Sequence, residues 1–173
     1  MILKGKSHVL GDDINTDYII AAKYRSLGLD FKEMAHHLLE DLDPNISGRI
    51  QKGDFLVAGR NFGCGSSREF APRVIQEAGI TAVLALSYAR IFYRNSFNVG
   101  LWLLECETKD VMYSDDIELD LEAWVVKDLT KNLIIPIKPL PPFMLQILQD
   151  GGLVPHFKKW GGFHMIESKK TYG

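Results

Sequence analysis

The chain has 173 residues, 46% of them hydrophobic and 24% charged, with a formal net charge of -2. That is the composition of one globular α/β-sized domain with enough length to bury a substantial core. The near-neutral balance gives no footing for nucleic acid or a membrane surface as partner, and no apolar run is long enough to span a bilayer.

Residues 2–10, ILKGKSHVL, alternate loosely and read as a strand. Lys4 and Lys6 interrupt any apolar run there, so no signal peptide is expected and the expected compartment is the cytoplasm. GDDINTD (11–17) is a turn dense in residues that bond their own backbone. Tyr18 to Ala22 is apolar, and Lys23 to Leu29 reads as a loop. FKEMAHHLLEDL (31–42) puts Phe31, Met34, Ala35, Leu38, Leu39 and Leu42 at helical spacing, with Asp30 as N-cap and Asp43-Pro44 as the stop. Residues 45–53 form a polar connection.

The pattern then changes. DFLVAG (54–59), ITAVLAL (80–86) and LWLLEC (101–106) are short continuous apolar strands. Between them lie a helix over 72–78 closed by Gly79 and a second over 87–100, carrying Ala89, Ile91, Phe92 and Phe97 and closed by Gly100. Strand, helix, strand, helix, strand with short links predicts a parallel sheet. Beyond it, IELDLEAWVVKD (117–128) alternates as antiparallel strands. NLIIPIKPL (132–140) is a strand confined to a sheet edge by Pro136. PPFMLQILQDGG (141–152) is a helix with proline at its start and glycine at its end, VPHFKKWG is a last short helix or turn, and ESKKTYG reads as a frayed terminus. Residues 1–173 are thus expected to form a single domain, frayed from about 164.

The chemistry concentrates in GRNFGCGSSREFAP (59–72). A strand, a glycine loop and a helix start offer unpaired backbone N–H groups and a favourable dipole to an anion. Gly63 and Gly65 allow close approach, and Arg68 can grip a carboxylate through two parallel bonds. Phosphate motifs fit poorly: no lysine lies between Gly59 and Ser67, and Arg68 stands where a dinucleotide fingerprint needs glycine. The nucleophile-elbow pattern of serine hydrolases is absent as well. Cys64 lies near a helix start, which can lower a thiol pKa, but no histidine is near it in sequence. Ser66-x-x-Glu69 has capping-box spacing, so Ser66 is either a helix cap or, if the helix starts nearer Pro72, an exposed hydroxyl in a tight turn. The five histidines (His8, His36, His37, His156, His164) lack metal-ligand spacing. Two cysteines, Cys64 and Cys106, make neither a disulfide framework nor a set able to hold a four-iron cluster.

GRNFGCGSSREFAP followed by ITAVLALSYARIFYRNSFNVGL resembles the small-subunit swivel domain of the aconitase family, specifically the small subunits of 3-isopropylmalate dehydratases. GDDINTDYIIAAKY (11–24) resembles that family's opening motif and QDGGLVPHFKKWG its C-terminal end, so the likeness runs from about residue 2 to 163. The resemblance implies a three-layer β/β/α swivel domain with a mainly parallel core and additional antiparallel strands. It implies a hydro-lyase that interconverts 2- and 3-isopropylmalate, in leucine biosynthesis, by dehydration and rehydration. A [4Fe-4S] cluster held by a separate large subunit, in a heterodimer or heterotetramer, would act as Lewis acid. This chain would hold no metal and would be active only with that partner. Ser66 corresponds to the catalytic base. Ser67, Arg68, Gly65, Thr16 and Asp17 correspond to the substrate-binding positions. Arg25 lies in the loop that judges the substrate's side group. Two positions depart from the family pattern. Phe70 stands where histidine is usual, and YRSLGLD after Ala22-Lys23 mixes Arg25 with Leu27 and Leu29. Homoaconitate, 2,3-dimethylmalate or another 2-hydroxy diacid therefore remains an alternative substrate, and a carboxylate-binding module without catalysis is the alternative from another class.

Overall fold

The computed structural model describes residues 1–161; the terminus expected to fray from about 164, with His164, lies outside them. Four strands, β1 (Ile2–Val9), β2 (Phe55–Ala58), β3 (Ala82–Ala85) and β4 (Trp102–Glu105), pair side by side in parallel. Three more, β5 (Asp116–Asp120), β6 (Val125–Asp128) and β7 (Leu133–Pro136), continue from the other side of β1 as an antiparallel meander. The sheet order is β4-β3-β2-β1-β5-β6-β7. Pro136 lies on the outermost strand, where a missing N–H removes no ladder bond. A bridge between Cys106 and Ile137 and a bond from Lys138 N to Glu105 O (3.0 Å) bring the two ends of the sheet together, so the sheet is curled.

Eight helices accompany these strands among the described residues: α1 (Thr16–Ile19), α2 (Ala22–Ser26), α3 (Phe31–Ala35) and α4 (Ile46–Arg49) between β1 and β2, α5 (Ala71–Glu77) and α6 (Arg90–Val99) between the next parallel strands, and α7 (Pro142–Gln149) and α8 (Leu153–Trp160) after β7. The central strands read as continuous apolar runs because both of their faces are covered. Leu56, Ala58, Val83 and Ala85 face one core, shared with Ile19, Met34, Ile75 and Phe92 of the helices. Their alternates Phe55, Val57, Ala82 and Leu84 face a second core, closed by Ile117, Leu119, Val126 and Ile135 of the antiparallel strands. Period-two alternation thus assigns one residue to each core in turn. The result is three layers, helix on parallel sheet on antiparallel sheet, as the sequence and its resemblance imply.

The structure corrects three local expectations. The helix at 31–42 ends at Ala35, although Asp30 caps it through a full capping box with Glu33. Leu39 instead takes φ 58° and its N–H donates to Ile19 O (3.0 Å), so a tertiary bond overrides the helical period while Leu38 and Leu39 stay fully buried. The loop expected at 23–29 contains α2, pinned by buried Tyr24. The Tyr24 hydroxyl bonds Glu40, and its ring stacks on His37 at 4.0 Å. The polar connection at 45–53 contains α4. On α6, Phe92 is buried and Ile91 is exposed.

The C-terminal pair α7–α8 is held against the end of α6. Gly100 ends α6 at φ 82°, and a Cβ there would meet the Gly151 carbonyl carbon at 2.5 Å. Asp150, in the turn between α7 and α8, gathers Lys159 Nζ (2.6 Å), His156 Nδ1 (2.7 Å) and Trp160 Nε1 (2.8 Å). The hydrogen bond from Lys159 leads in holding this carboxyl down to about 2, against its ordinary 3.8. A carboxyl lowered on folding adds stability above its ordinary pKa, and that stability fades as pH falls through the folded value. Asp150→Asn should therefore lower the thermal midpoint at pH 7, and the gap from the parent should close between about pH 4 and pH 2. A gap that does not change with pH would contradict this role for the carboxylate.

Candidate active site

The site is built where the β1–β2 pairing runs on past both strands. Leu10 N donates to Val57 O (2.7 Å), Gly59 N to Gly11 O (3.1 Å), Asp13 N to Arg60 O (2.8 Å), Gly63 N to Ile14 O (2.7 Å) and Thr16 N to Cys64 O (2.8 Å). The Thr16 hydroxyl completes the series by donating to Ser66 O (2.7 Å). The segments GDDINT and GRNFGCGS are thus bonded rung by rung. On the other side the loop bonds the segment after β3: Phe62 N to Ser87 O (3.0 Å) and Ala89 N to Phe62 O (2.9 Å). Backbone carbonyls and amides therefore fix the loop before any side chain acts.

The loop delivers Gly65, Ser66, Ser67 and Arg68 to one cleft of about 430 Å³, with Thr16, Asn61, Tyr88 and the opening turn of α6 as its other walls. Ser66 and Ser67 are exposed, and neither hydroxyl has a protein partner among the described residues. Gly63 makes this approach possible. Its φ is 80°, and a Cβ would lie 2.1 Å from Cγ of Phe92, so loop and α6 meet at a distance that only glycine permits. Ser66 is not a helix cap. The residue before α5 is Phe70, with no side-chain cap bond, and Pro72 lies in the first turn of α5, leaving Ser66 outside the helix. The helix terminus at the cleft belongs to α6, whose first turn (Arg90, Ile91, Phe92) lines the wall opposite the serines. The first amides of a helix have no partner within it, so this wall carries the anion-favouring end of a dipole. The sequence reading put that dipole on the helix after the loop; the sheet order places the next helix there instead.

Arg68 is largely buried, with its side chain 12% exposed, and it pairs with Asp17 on α1. Its Nε is buried without a hydrogen-bond partner, so one edge of the guanidinium remains uncommitted. Thr16 is buried and lines the cleft, but its hydroxyl is committed to the Ser66 carbonyl, which makes it a residue that holds the loop. Arg25 is absent from this cleft. It lines a neighbouring one of about 660 Å³ with Phe31, Phe70, Arg73 and Asn98, and the two clefts share Ser67 and Asn95. Phe70 packs partly on the helical core and partly forms this second wall. The sequence reading missed Asn61, Tyr88, Arg90 and Asn95. The signal for the last three was the run SYARIFYRN, which follows a parallel strand as the glycine loop does.

Neither cysteine is set up as a nucleophile. Burial pushes the Cys64 thiol up, helped by the nearby Asp13 charge, and its sulfur bonds Asp13 O at 3.4 Å. Burial pushes Cys106 up to about 12. No group of three or more His, Cys, Asp or Glu able to hold a metal exists among the described residues. His8 and His156 are buried on the carboxylates of Asp54 and Asp150. No helix among the described residues is long and apolar enough to cross a membrane.

The aconitase C-terminal domain family matches residues 41–109, which contain the glycine loop and α6. Over nearly the whole chain the likeness is narrower. The 3-isopropylmalate dehydratase small subunit of Wolinella succinogenes is 49% identical over 91% of this chain and 94% of its own length. A small subunit of that name from Thermotoga maritima is 44% identical over 95% of this chain and all of its own length. The crystal structure of a 3-isopropylmalate dehydratase from Methanocaldococcus jannaschii superimposes with a TM-score of 0.88 at 43% identity, covering 92% of this chain and 95% of that one. The chain belongs to the 3-isopropylmalate dehydratase small-subunit family.

The close approach at Gly63 sets a stability test. Gly63→Ala should lower the unfolding free energy by about 2–4 kcal/mol, from backbone strain and collision with Phe92. Urea melts that agree with the parent would show that loop and helix do not meet as described.

Proposed function

We propose that this chain is the small subunit of a hydro-lyase that interconverts 2- and 3-isopropylmalate, with Ser66 as the base that removes a proton from carbon. The observation that carries the reading is the meeting, in one cleft, of the free Ser66 hydroxyl, the Arg68 side chain and the first turn of α6. A serine hydroxyl ionises far above neutral pH, so a serine base needs stabilisation of its anion. The α6 terminus and the guanidinium of Arg68 supply that in a partly enclosed site. Arg68 and Ser67 bind a substrate carboxylate, with Asp17 fixing the plane of the guanidinium. Thr16 acts at one remove by holding the Ser66 carbonyl.

The residues of this chain do not suit an iron–sulfur cluster, because it has two cysteines where a four-iron cluster takes three or four thiolates. In this reading the cluster that polarises the departing hydroxyl belongs to the large subunit. The cleft described above is then one half of an active site that the large subunit completes. The names of the relatives support isopropylmalate as the hydroxy diacid. Arg25, without a carboxylate partner among the described residues, supports a second reading in which the substrate carries a further acid group in the neighbouring cleft.

Ser66→Ala, assayed with the large subunit, should lower kcat by about 10³-fold or more while KM stays within about threefold, because the hydroxyl acts mainly in the transition state. Turnover within tenfold of the parent would remove Ser66 from the role of base.

A further inference from the structure

The wall between the two clefts is one face of α6. Ile91, Asn95, Asn98 and Val99 follow at steps of four, three and one, which places them on a single stripe of the helix. Ile91 and Asn95 line the first cleft; Asn95, Asn98 and Val99 line the second. Asn95 alone on this helix belongs to both. Its side chain is half-buried, and its amide has no hydrogen-bond partner among the described residues. Asparagine is a poor choice for the middle of a helix, since it competes for backbone bonds and adds no apolar burial. Asn95 caps nothing and bonds no neighbour, so neither the helix nor the core accounts for it. Across the junction stands Ser67, the other side chain common to both clefts.

Resting on the function proposed above, we infer that Asn95 is a substrate-binding residue, donating its side-chain amide to the substrate carboxylate that Ser67 contacts. The two clefts then form one continuous site. The reacting carbons lie by Ser66 and Arg68, the carboxylate lies at the Ser67–Asn95 gate, and the remaining arm extends into the second cleft. That cleft offers Phe31, Phe70 and Val99 to an apolar branch, and Arg25 and Arg73 at its wall to an acidic one. A neutral amide suits the gate, because it binds a carboxylate without immobilising a second strong charge beside Arg68.

The test is steady-state kinetics of the reconstituted two-subunit enzyme with 3-isopropylmalate, homoaconitate and 2,3-dimethylmalate, alongside thermal midpoints of each variant. Asn95→Ala should raise KM for the preferred substrate about tenfold, the size expected for a lost bond to a charged group, with kcat within threefold. Asn95→Asp should raise it about a hundredfold, since it sets carboxylate against carboxylate. Arg94→Ala, an exposed residue of the same helix that lines neither cleft, should leave KM within about threefold and serves as the control. Thermal midpoints should match the parent. An active parent enzyme with an Asn95→Asp KM within twofold of it would overturn the role of Asn95 and leave the proposed function standing. A fall in kcat and thermal midpoint at constant KM would show a structural role instead. A parent enzyme inactive on all three acids would overturn the proposed function and the inference together.

Discussion

The continued pairing of two parallel segments beyond the ends of their strands is the constraint on which the rest depends. From Leu10–Val57 to Thr16–Ser66 the bonds run without a break, mostly backbone to backbone. Such a ladder specifies register, and register here decides which atoms reach the cleft. Displacing one segment by a single residue would turn Thr16 away from the Ser66 carbonyl and move Asp17 off Arg68. The glycines serve this ladder. Gly63 admits the ring of Phe92 against the loop, and Gly65, at φ 90°, turns the chain outward so that both serines are exposed. The site is therefore an extension of the sheet, made of backbone that the core on either side already holds.

Much of this was legible in the sequence. The apolar runs at 54–59, 80–86 and 101–106 are readable because a strand buried on both faces has no polar alternation, and all three lie where expected. Pro136 marked the edge strand, and Gly79 and Gly100 marked helix ends. The break after Ala35 was not legible. It arises from one bond between Leu39 and Ile19, twenty residues apart, which local spacing cannot report. Tyr24 likewise owes its helix to contacts with Glu40 and His37.

The site divides in the same way. GSSR was readable as an anion-binding loop because glycine, hydroxyl and guanidinium each have a chemical reason to be there. The helix terminus that faces it was misplaced, because chain order names the next helix while sheet order chooses the one after. The uncertainty over Ser66 as cap or exposed hydroxyl resolved towards the second, with Pro72 in the first turn of α5 as its physical cause. Phe70, which departs from the family pattern, packs between the helical core and the second cleft. Arg25 and Ser66, read together from the sequence, line two clefts that meet at Ser67 and Asn95.

The central claim is that this cleft is half of a catalytic site. The direct measurement is formation of the unsaturated diacid from 3-isopropylmalate, followed for this chain alone, for the large subunit alone and for the two combined. The account predicts no turnover by either part and turnover by the pair. Turnover by this chain alone, or by the large subunit without it, would contradict the claim.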